Sequence, residues 1–397
     1  MSYLGIEPEK NKKYKKRFYS KKWFQITAFF VILFLIIGGV FFWKAGSVIN
    51  KISKGNLLKN IVKSIPGVPK ELKSENGRTN VLLLGMRGEN IPGGGLLADT
   101  IIVISIIPAE NKVAMISIPR DLYVTVPGTT SKQKINAVHF YGEQKGEGQG
   151  LENMKLAVEE VLGIPIHYSM SINFVGFKQL IDAVGGIEIT LDKPFEEPLQ
   201  FNEARVCDGD KGGVFTEKTG KFEYKKNEKG KIVAAYPLCT NPNKECGGDF
   251  RLPAGKQVLD GNKALCYVRS RVTTSDFERA KRQQLIIQLL KDKLLSAETF
   301  TDFGKVNDIL NSLGDNVRSD MEAWEMGKFF EYYKQSKNYQ IYQRVLENSE
   351  EGLLYNPPID DKTIGYILLP IGNNYERIHA MAQNIFNLPP QSDIKPK

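Results

Sequence analysis

Histidine is scarce in this chain: His139, His167 and His379 are the only three in 397 residues, and they lie far apart. That spacing offers neither a histidine-based metal centre nor a histidine-driven catalytic triad. Phosphate-loop signatures are missing as well. There is no G-x-x-x-x-G-K-[ST], and GMRGENIPGGG does not form G-x-G-x-x-G between a strand and a helix. G-x-S-x-G is absent, which removes the common serine-hydrolase elbow. No internal repeat or low-complexity tract stands out.

Charge is absent from WFQITAFFVILFLIIGGVFFW, Trp23 to Trp43. About twenty such residues are what a helix needs to cross a bilayer. Trp23 and Trp43 stand where interfacial aromatics belong, with Lys22 and Lys44 just outside. The run is too long and too aromatic for a cleavable signal peptide. Before it, residues 1–22 carry eight basic side chains against Glu7 and Glu9. By the positive-inside rule the N-terminus is expected in the cytoplasm and everything after Lys44 outside. Of the net charge of +9, this arm holds about +6, so the body is close to neutral. A basic arm on a near-neutral body is not a nucleic-acid footprint, and no nucleic-acid partner is expected.

Cysteine usage fits an extracytoplasmic body. Cys207, Cys239 and Cys246 fall in one polar stretch, while Cys266 sits in the apolar run ALCYV. A disulfide among the first three is expected, with Cys239–Cys246 the shortest loop. A zinc site is the rival, but the stretch has no histidine and no C-x-x-C pair. Cys266 reads as a small buried hydrophobe.

The patterning divides the chain into a basic arm (1–22), a transmembrane anchor (23–43), a linker (44–78), a main domain (79–315) with an insertion at about 197–252, and a C-terminal extension (316–397). In the main domain NVLLLGM, TIIVISIIP and KVAMISIP are too continuously apolar for a sheet with one wet face, so they read as central strands. The last two pair as a hairpin around Pro108-Ala109-Glu110-Asn111. Helical spacing follows in GLENMKLAVEEVLG and NFVGFKQLIDAVGG, and a long helix begins near Ser275. The insertion contains the hairpin-like KFEYKKNEKGKIVAAY. Helix MEAWEMGKFFEYYKQ and strand GYILLPIG complete the extension. The fold class expected is α/β, a mixed central sheet sandwiched by helices and preceded by one transmembrane helix.

Candidate chemistry gathers at the ends of these elements. Asp99 precedes the second strand, Arg120 and Asp121 follow ISIP, and Lys134 and Asn136 lie in QKINAVHF. YVRSRVTTSDFERAKRQQ then packs Arg269, Arg271, Arg279, Lys281 and Arg282 against Asp276 and Glu278. If Arg269 and Arg271 are extended they share a side. On the helix, Arg279, Arg282 and Gln283 share a face. Guanidinium groups offer paired planar donors that match phosphate oxygens, so converging arginines suit a pyrophosphate. A carboxylate such as Asp99 would suit a magnesium ion beside it. The bland reading is a capping box, Ser275 with Glu278, and a dipole contact from Asp276.

LLADTIIVISIIPAENKVAMISIPRDLYVTVPG, KINAVHFYG, FVGFKQLIDAVGGIEITL and LDGNKALCYVRSRVTTSDFERAKRQQ, in that order, resemble the LytR-CpsA-Psr family over about residues 79–315. These are cell-envelope proteins once described as transcriptional attenuators. The resemblance implies enzymes that transfer a glycopolymer, as a phosphodiester, from a polyprenyl-pyrophosphate lipid to peptidoglycan. It implies a prenyl pocket in the α/β domain, arginines on the pyrophosphate, and magnesium. Carried onto this chain, the matching positions are Asp99 for the metal, and Arg120, Lys134, Arg269, Arg271, Arg279 and Gln283, supported by Asp121 and Arg282. One departure stands out. Many members have an acidic residue after the first strand, LLLG-x-D, where this chain has Arg87 in LLLGMRGEN. The arginine often found before the metal-site aspartate is also missing from GGGLLADT. Two other readings stay open: a non-catalytic sensor of lipid-linked precursors, and a polyprenyl-pyrophosphate hydrolase.

Overall fold

The computed structural model describes residues 71–88, 95–197, 205–207, 217–227, 230–240, 250–270, 274–294, 314, 316–322, 324–326, 328–329, 332, 339–358, 365–389 and 391. The basic arm, the Trp23–Trp43 run, the linker to residue 70, Arg271 and Cys246 lie outside the described residues. Among the described residues, no helix is long and apolar enough to cross a membrane.

The three apolar runs form the centre of the sheet: β1 (Thr79–Met86), β2 (Ala98–Ile107) and β3 (Lys112–Ser117). β2 pairs antiparallel with both β1 and β3. The β2–β3 turn is a single 3-10 turn, Pro108–Glu110, ended by Asn111 at φ 52°. Asparagine tolerates that left-handed conformation, so the expected hairpin closes at PAEN. A small antiparallel pair, β4 (Tyr123–Thr125) and β5 (Lys132–Lys134), leads to α1 (Val138–Glu143) and α2 (Gln149–Leu162). β6 (Tyr168–Asn173) then returns parallel to β1. Asn173 caps α3 (Phe174–Ala183) by accepting the Gly176 N–H.

β7 (Ile187–Leu191) and β8 (Phe195–Glu197) open the inserted region. Inside it, β9 (Arg205–Val206), β10 (Glu217–Lys226) and β11 (Ile232–Thr240) form a three-stranded sheet. β12 (Phe250–Leu252) and β13 (Gly255–Leu259) pair back onto β8 and β7 and close the insertion. The expected disulfide joins Cys207 to Cys239, not the pair with the shortest loop, because β9 lies alongside β11. Cys266 is itself disulfide-bonded, which corrects its reading as merely a small hydrophobe.

Two helices follow, α4 (Gly261–Arg269) and α5 (Asp276–Leu294). Arg269 is therefore the last residue of a helix, and the extended alternation with Arg271 does not apply. Asp260 accepts the Lys263 N–H and starts α4, which buries Ala264, Leu265, Cys266, Tyr267 and Val268. A short apolar run cannot by itself distinguish a buried strand from a helix segment.

The stretch read as a C-terminal extension supplies both sheet edges. β14 (Val317–Ser319) lies antiparallel to β6, and β15 (Gln340–Val345) parallel to β3. The sheet order is β14-β6-β1-β2-β3-β15. The sheet thus continues past residue 315. A small sheet of β16 (Glu347–Asn348), β17 (Leu353–Tyr355) and β18 (Leu369–Pro370) precedes α6 (Glu376–Gln383). The expected strand GYILLPIG is reduced to β18.

The period of two along each strand explains what the sheet does. Leu82, Leu84, Ile101, Val103, Ala114 and Ile116 pack with Met154, Val158 and Val161 of α2 into the main core. The alternate residues Leu83, Gly85, Thr100, Ile102 and Val113 line a cavity on the other face.

Candidate active site

Arg120 is the hub of a cleft at one end of β2 and β3. Its Nη1 donates to Asp99 Oδ1 at 2.9 Å. Its Nε lies 3.4 Å from Asp121 Oδ2 and 3.7 Å from Asp276 Oδ2. Burial alone would lower the Arg120 pKa, but the carboxylates of Asp99, Asp276 and Asp121 outweigh it and hold the guanidinium more firmly charged than usual. Asp121 in turn takes Lys134 Nζ at 2.9 Å. Asp276 also meets Arg279 Nη2 at 3.4 Å. Asp99 Oδ2 has Arg87 Nε 3.9 Å away. The named ion pairs link four cationic side chains and three carboxylates, leaving one positive charge in excess.

The cleft wall contains Asp99, Arg120, Asp276, Arg279 and Gln283. Asp121 and Lys134 stand behind Arg120. Asn136 contributes through its backbone, whose N–H donates to the Arg120 carbonyl at 3.3 Å. Arg269 sits at the rim of the apolar cavity, its guanidinium 4.8 Å from the centre of the Phe174 ring that helps line it.

Arg282 was expected to bind substrate, and the structure turns it inward instead. It is buried, its Nε donates to the Tyr267 carbonyl at 3.0 Å, and its Nη2 reaches the Ser270 carbonyl and Thr274 Oγ1. The ring of Phe195 lies under it at 5.1 Å. Helix α4 leaves its last carbonyls without intrahelical donors, and Arg282 fills that need. Burial lowers its pKa, yet a guanidinium stays charged. Gln283 serves both ends: its Nε2 donates to the Val268 carbonyl at 3.2 Å, and its side chain borders cleft and cavity.

Sequence reasoning set Asp276 aside as a helix-dipole residue and missed Tyr366. The capping reading holds, since Ser275 Oγ accepts the Glu278 N–H at 3.1 Å. Yet Asp276 also bridges two arginines of the cleft. Tyr366 arrives through backbone pairing: Leu368 N–H donates to the Asp121 carbonyl, and Tyr123 N–H to the Leu368 carbonyl. Burial, then the nearby Asp121 and Asp276 charges, push its phenol pKa up. No local sequence signal links residue 366 to residue 121. The three histidines stay out of the cleft, each with a ring nitrogen at a backbone group: Leu96 O, Asn80 N and Glu160 O respectively.

The cavity beside the cleft measures about 680 Å³. Its walls come from β1, β2, β6 and helices α3, α4 and α5, with Phe177, Ile287 and Leu290 among them. Thr100 and Gln283 belong to both spaces, so they mark the junction. Gly85 faces Thr100 there; a Cβ at 85 would lie 2.9 Å from the Thr100 Cβ. That approach is tighter than side chains tolerate, which explains a glycine within the strand.

The carboxylate expected to hold magnesium fits it poorly, and the ion's other ligands would be water and substrate oxygens. The two oxygens of Asp99 face guanidiniums, and no group of three His, Cys, Asp or Glu among the described residues is placed to hold a metal.

The LytR_cpsA_psr family matches over residues 44–361. A teichoic acid transferase of Oceanobacillus iheyensis, named polyisoprenyl-teichoic acid–peptidoglycan teichoic acid transferase TagU, is 28% identical over 84% of this chain and 87% of its own length. TagT of Bacillus subtilis, of the same named activity, is 25% identical over 84% of this chain and 89% of its own. Among solved structures, a protein of Enterococcus faecalis described as a transcriptional regulator superposes with TM-score 0.50 at 25% identity, covering 78% of this chain and 88% of that one. A structure of TagT bound to LIIa-WTA superposes at 0.51 with 22% identity, over 80% of this chain and 94% of that one, and shows a shared fold.

Proposed function

Because the chain belongs to the LytR_cpsA_psr family, we propose that it transfers a glycopolymer from a polyprenyl-pyrophosphate carrier to peptidoglycan. Relatives matched over most of their length carry the name of that activity with teichoic acid as the polymer, and a teichoic acid is the first donor to try. The observation that carries the reading is the junction at Thr100 and Gln283, wall residues shared by a charged cleft that holds Arg120 and Arg279 and by a large apolar cavity. A lipid pyrophosphate has these two parts in one molecule. A volume of about 680 Å³ lies within the range of small-molecule pockets, about 300–1,000 Å³.

The prenyl chain occupies the cavity, and Arg120 and Arg279 bind the pyrophosphate, with Arg269 at the rim. A hydroxyl oxygen of the acceptor bonds to the phosphorus that carries the sugar. The bond from that phosphorus to the bridging oxygen breaks, and polyprenyl phosphate leaves. The hydroxyl proton passes to the carboxylates around Arg120. Phosphoryl transfer needs positioning and charge neutralisation more than covalent chemistry, so a cleft without histidine is adequate.

The Trp23–Trp43 run is the membrane anchor of this reading, with the N-terminus in the cytoplasm and the enzyme outside, beside its lipid donor. The support is the charge-free run and the basic arm before it. The test uses the full chain in detergent with lipid-linked teichoic acid and peptidoglycan fragments. Arg279→Ala is expected to slow transfer by about 10²–10³-fold with an unchanged circular dichroism spectrum. Transfer at the parent rate overturns the assignment, and release of free polymer with none joined to peptidoglycan identifies a hydrolase instead.

A further inference from the structure

We propose that Arg87 does at Asp99 what a divalent cation would otherwise do, so that this chain binds its lipid pyrophosphate with arginine alone. The inference rests on the function proposed above and concerns how the same site handles charge. Asp99 has two carboxylate oxygens, and each faces a different guanidinium: Oδ1 takes Arg120 Nη1 at 2.9 Å, and Oδ2 has Arg87 Nε at 3.9 Å. Both arginines come from the ends of central strands. Met86 is still paired with Ala98, and the Gly88 N–H donates to the Gly95 carbonyl at 3.0 Å. Arg87 is held between these two contacts, and its side chain is 30% exposed against 21% for Asp99.

A magnesium ion beside a pyrophosphate keeps waters and substrate oxygens and asks the protein for one or two carboxylates, and the carboxylate expected to serve, Asp99, already faces a guanidinium at each oxygen. A cation at Asp99 would also sit beside two guanidiniums, and like charges a few ångströms apart repel strongly in a partly buried cleft. Arg87 and Arg120, ion-paired to the two oxygens of one carboxylate, present planar donors that suit two oxygens of a pyrophosphate. The positive charge that neutralises the leaving phosphate is therefore built into the chain.

The test measures binding with the full-length chain in detergent, using geranyl pyrophosphate and Mn²⁺ as separate probes. Expected for the parent are equal pyrophosphate affinities in EDTA and in magnesium, and no bound Mn²⁺ by electron paramagnetic resonance. Arg87→Asp is expected to lose at least about tenfold in pyrophosphate affinity in EDTA, the size of one lost charge-assisted contact. The same variant should gain a Mn²⁺ site and recover affinity when Mn²⁺ is present. Arg87→Lys, which keeps the charge, should lie between the two and bind no Mn²⁺. A parent Mn²⁺ site abolished by Asp99→Asn, or a parent affinity that falls tenfold or more in EDTA, overturns the inference while leaving the proposed function standing. No pyrophosphate binding under any condition overturns the function itself, and the two Mn²⁺ titrations still decide the role of Arg87.

Discussion

Helix α5 turns Arg279 and Gln283 toward a cleft of ion pairs, and Ile286, Ile287 and Leu290 toward an apolar cavity. In the cleft, charges from β2, the loop after β3, β5 and α5 hold one another in place, so each group depends on its partners. The cavity walls are mostly apolar side chains, and the space persists because they stand apart instead of packing. A folded core does not normally forgo that packing, which marks the space as reserved for a ligand. The lesson is that residue type does not assign a side chain to function. Arg279 and Arg282 are three residues apart on this helix, yet one lines the cleft and the other closes the end of α4.

The sharpest way to break that distinction is Arg282→Ala. It leaves the buried carbonyls of Tyr267 and Ser270 without a donor and is expected to cost about 3 kcal/mol of stability in urea unfolding. Arg279→Ala should change stability by less than about 1 kcal/mol. Equal losses from the two variants would remove the distinction.

A second measurement sets the cleft against a buried carboxylate away from it. Burial drives the Glu347 pKa from 4.5 up to about 7, with Glu351 and Glu278 adding to the rise and Lys281 and the Gln391 contact opposing it. The folded state therefore holds this proton more tightly than the unfolded chain does. Its contribution favours folding below pH 4.5 and is lost as pH rises toward 7, by roughly 2–3 kcal/mol. Glu347→Gln should flatten the fall in stability between pH 4.5 and 7 without shifting the pH profile of transfer. An unaltered stability profile would show that Glu347 does not titrate this way.

The smallest effect expected is at the cavity. Leu290→Trp narrows it and should raise KM for a long-chain lipid donor by about tenfold, some 1.4 kcal/mol, while sparing a donor of two isoprene units. Equal effects on both donors would mean that the prenyl chain lies elsewhere.

Much of this was legible in the residues. Continuous apolar runs identified β1, β2 and β3, the turn residues identified their hairpin, and helical spacing identified α2, α3 and α5. Asp99, Arg120, Arg279 and Gln283 were all chosen for their chemistry, and all four line the cleft. The errors share a cause. A short apolar run does not reveal its period, so the extended alternative for Arg269 fails where the helix runs on, and edge strands of three to six residues carry too little pattern to be joined to the domain. Asp276 was absorbed by its capping role, and Tyr366 had no local signature at all.

By itself the sequence determined the strand cores, the long helices, the apolar run near the N-terminus and the supply of arginine and aspartate for an anionic ligand. These follow from periodicity and charge, which act over neighbouring residues. Only the tertiary structure decided that Arg120 gathers three carboxylates, that Arg282 serves a helix end, that Arg87 faces Asp99, and that alternate residues of one sheet bound a cavity. Those outcomes depend on which distant groups share a desolvated space, and that is settled by packing between elements.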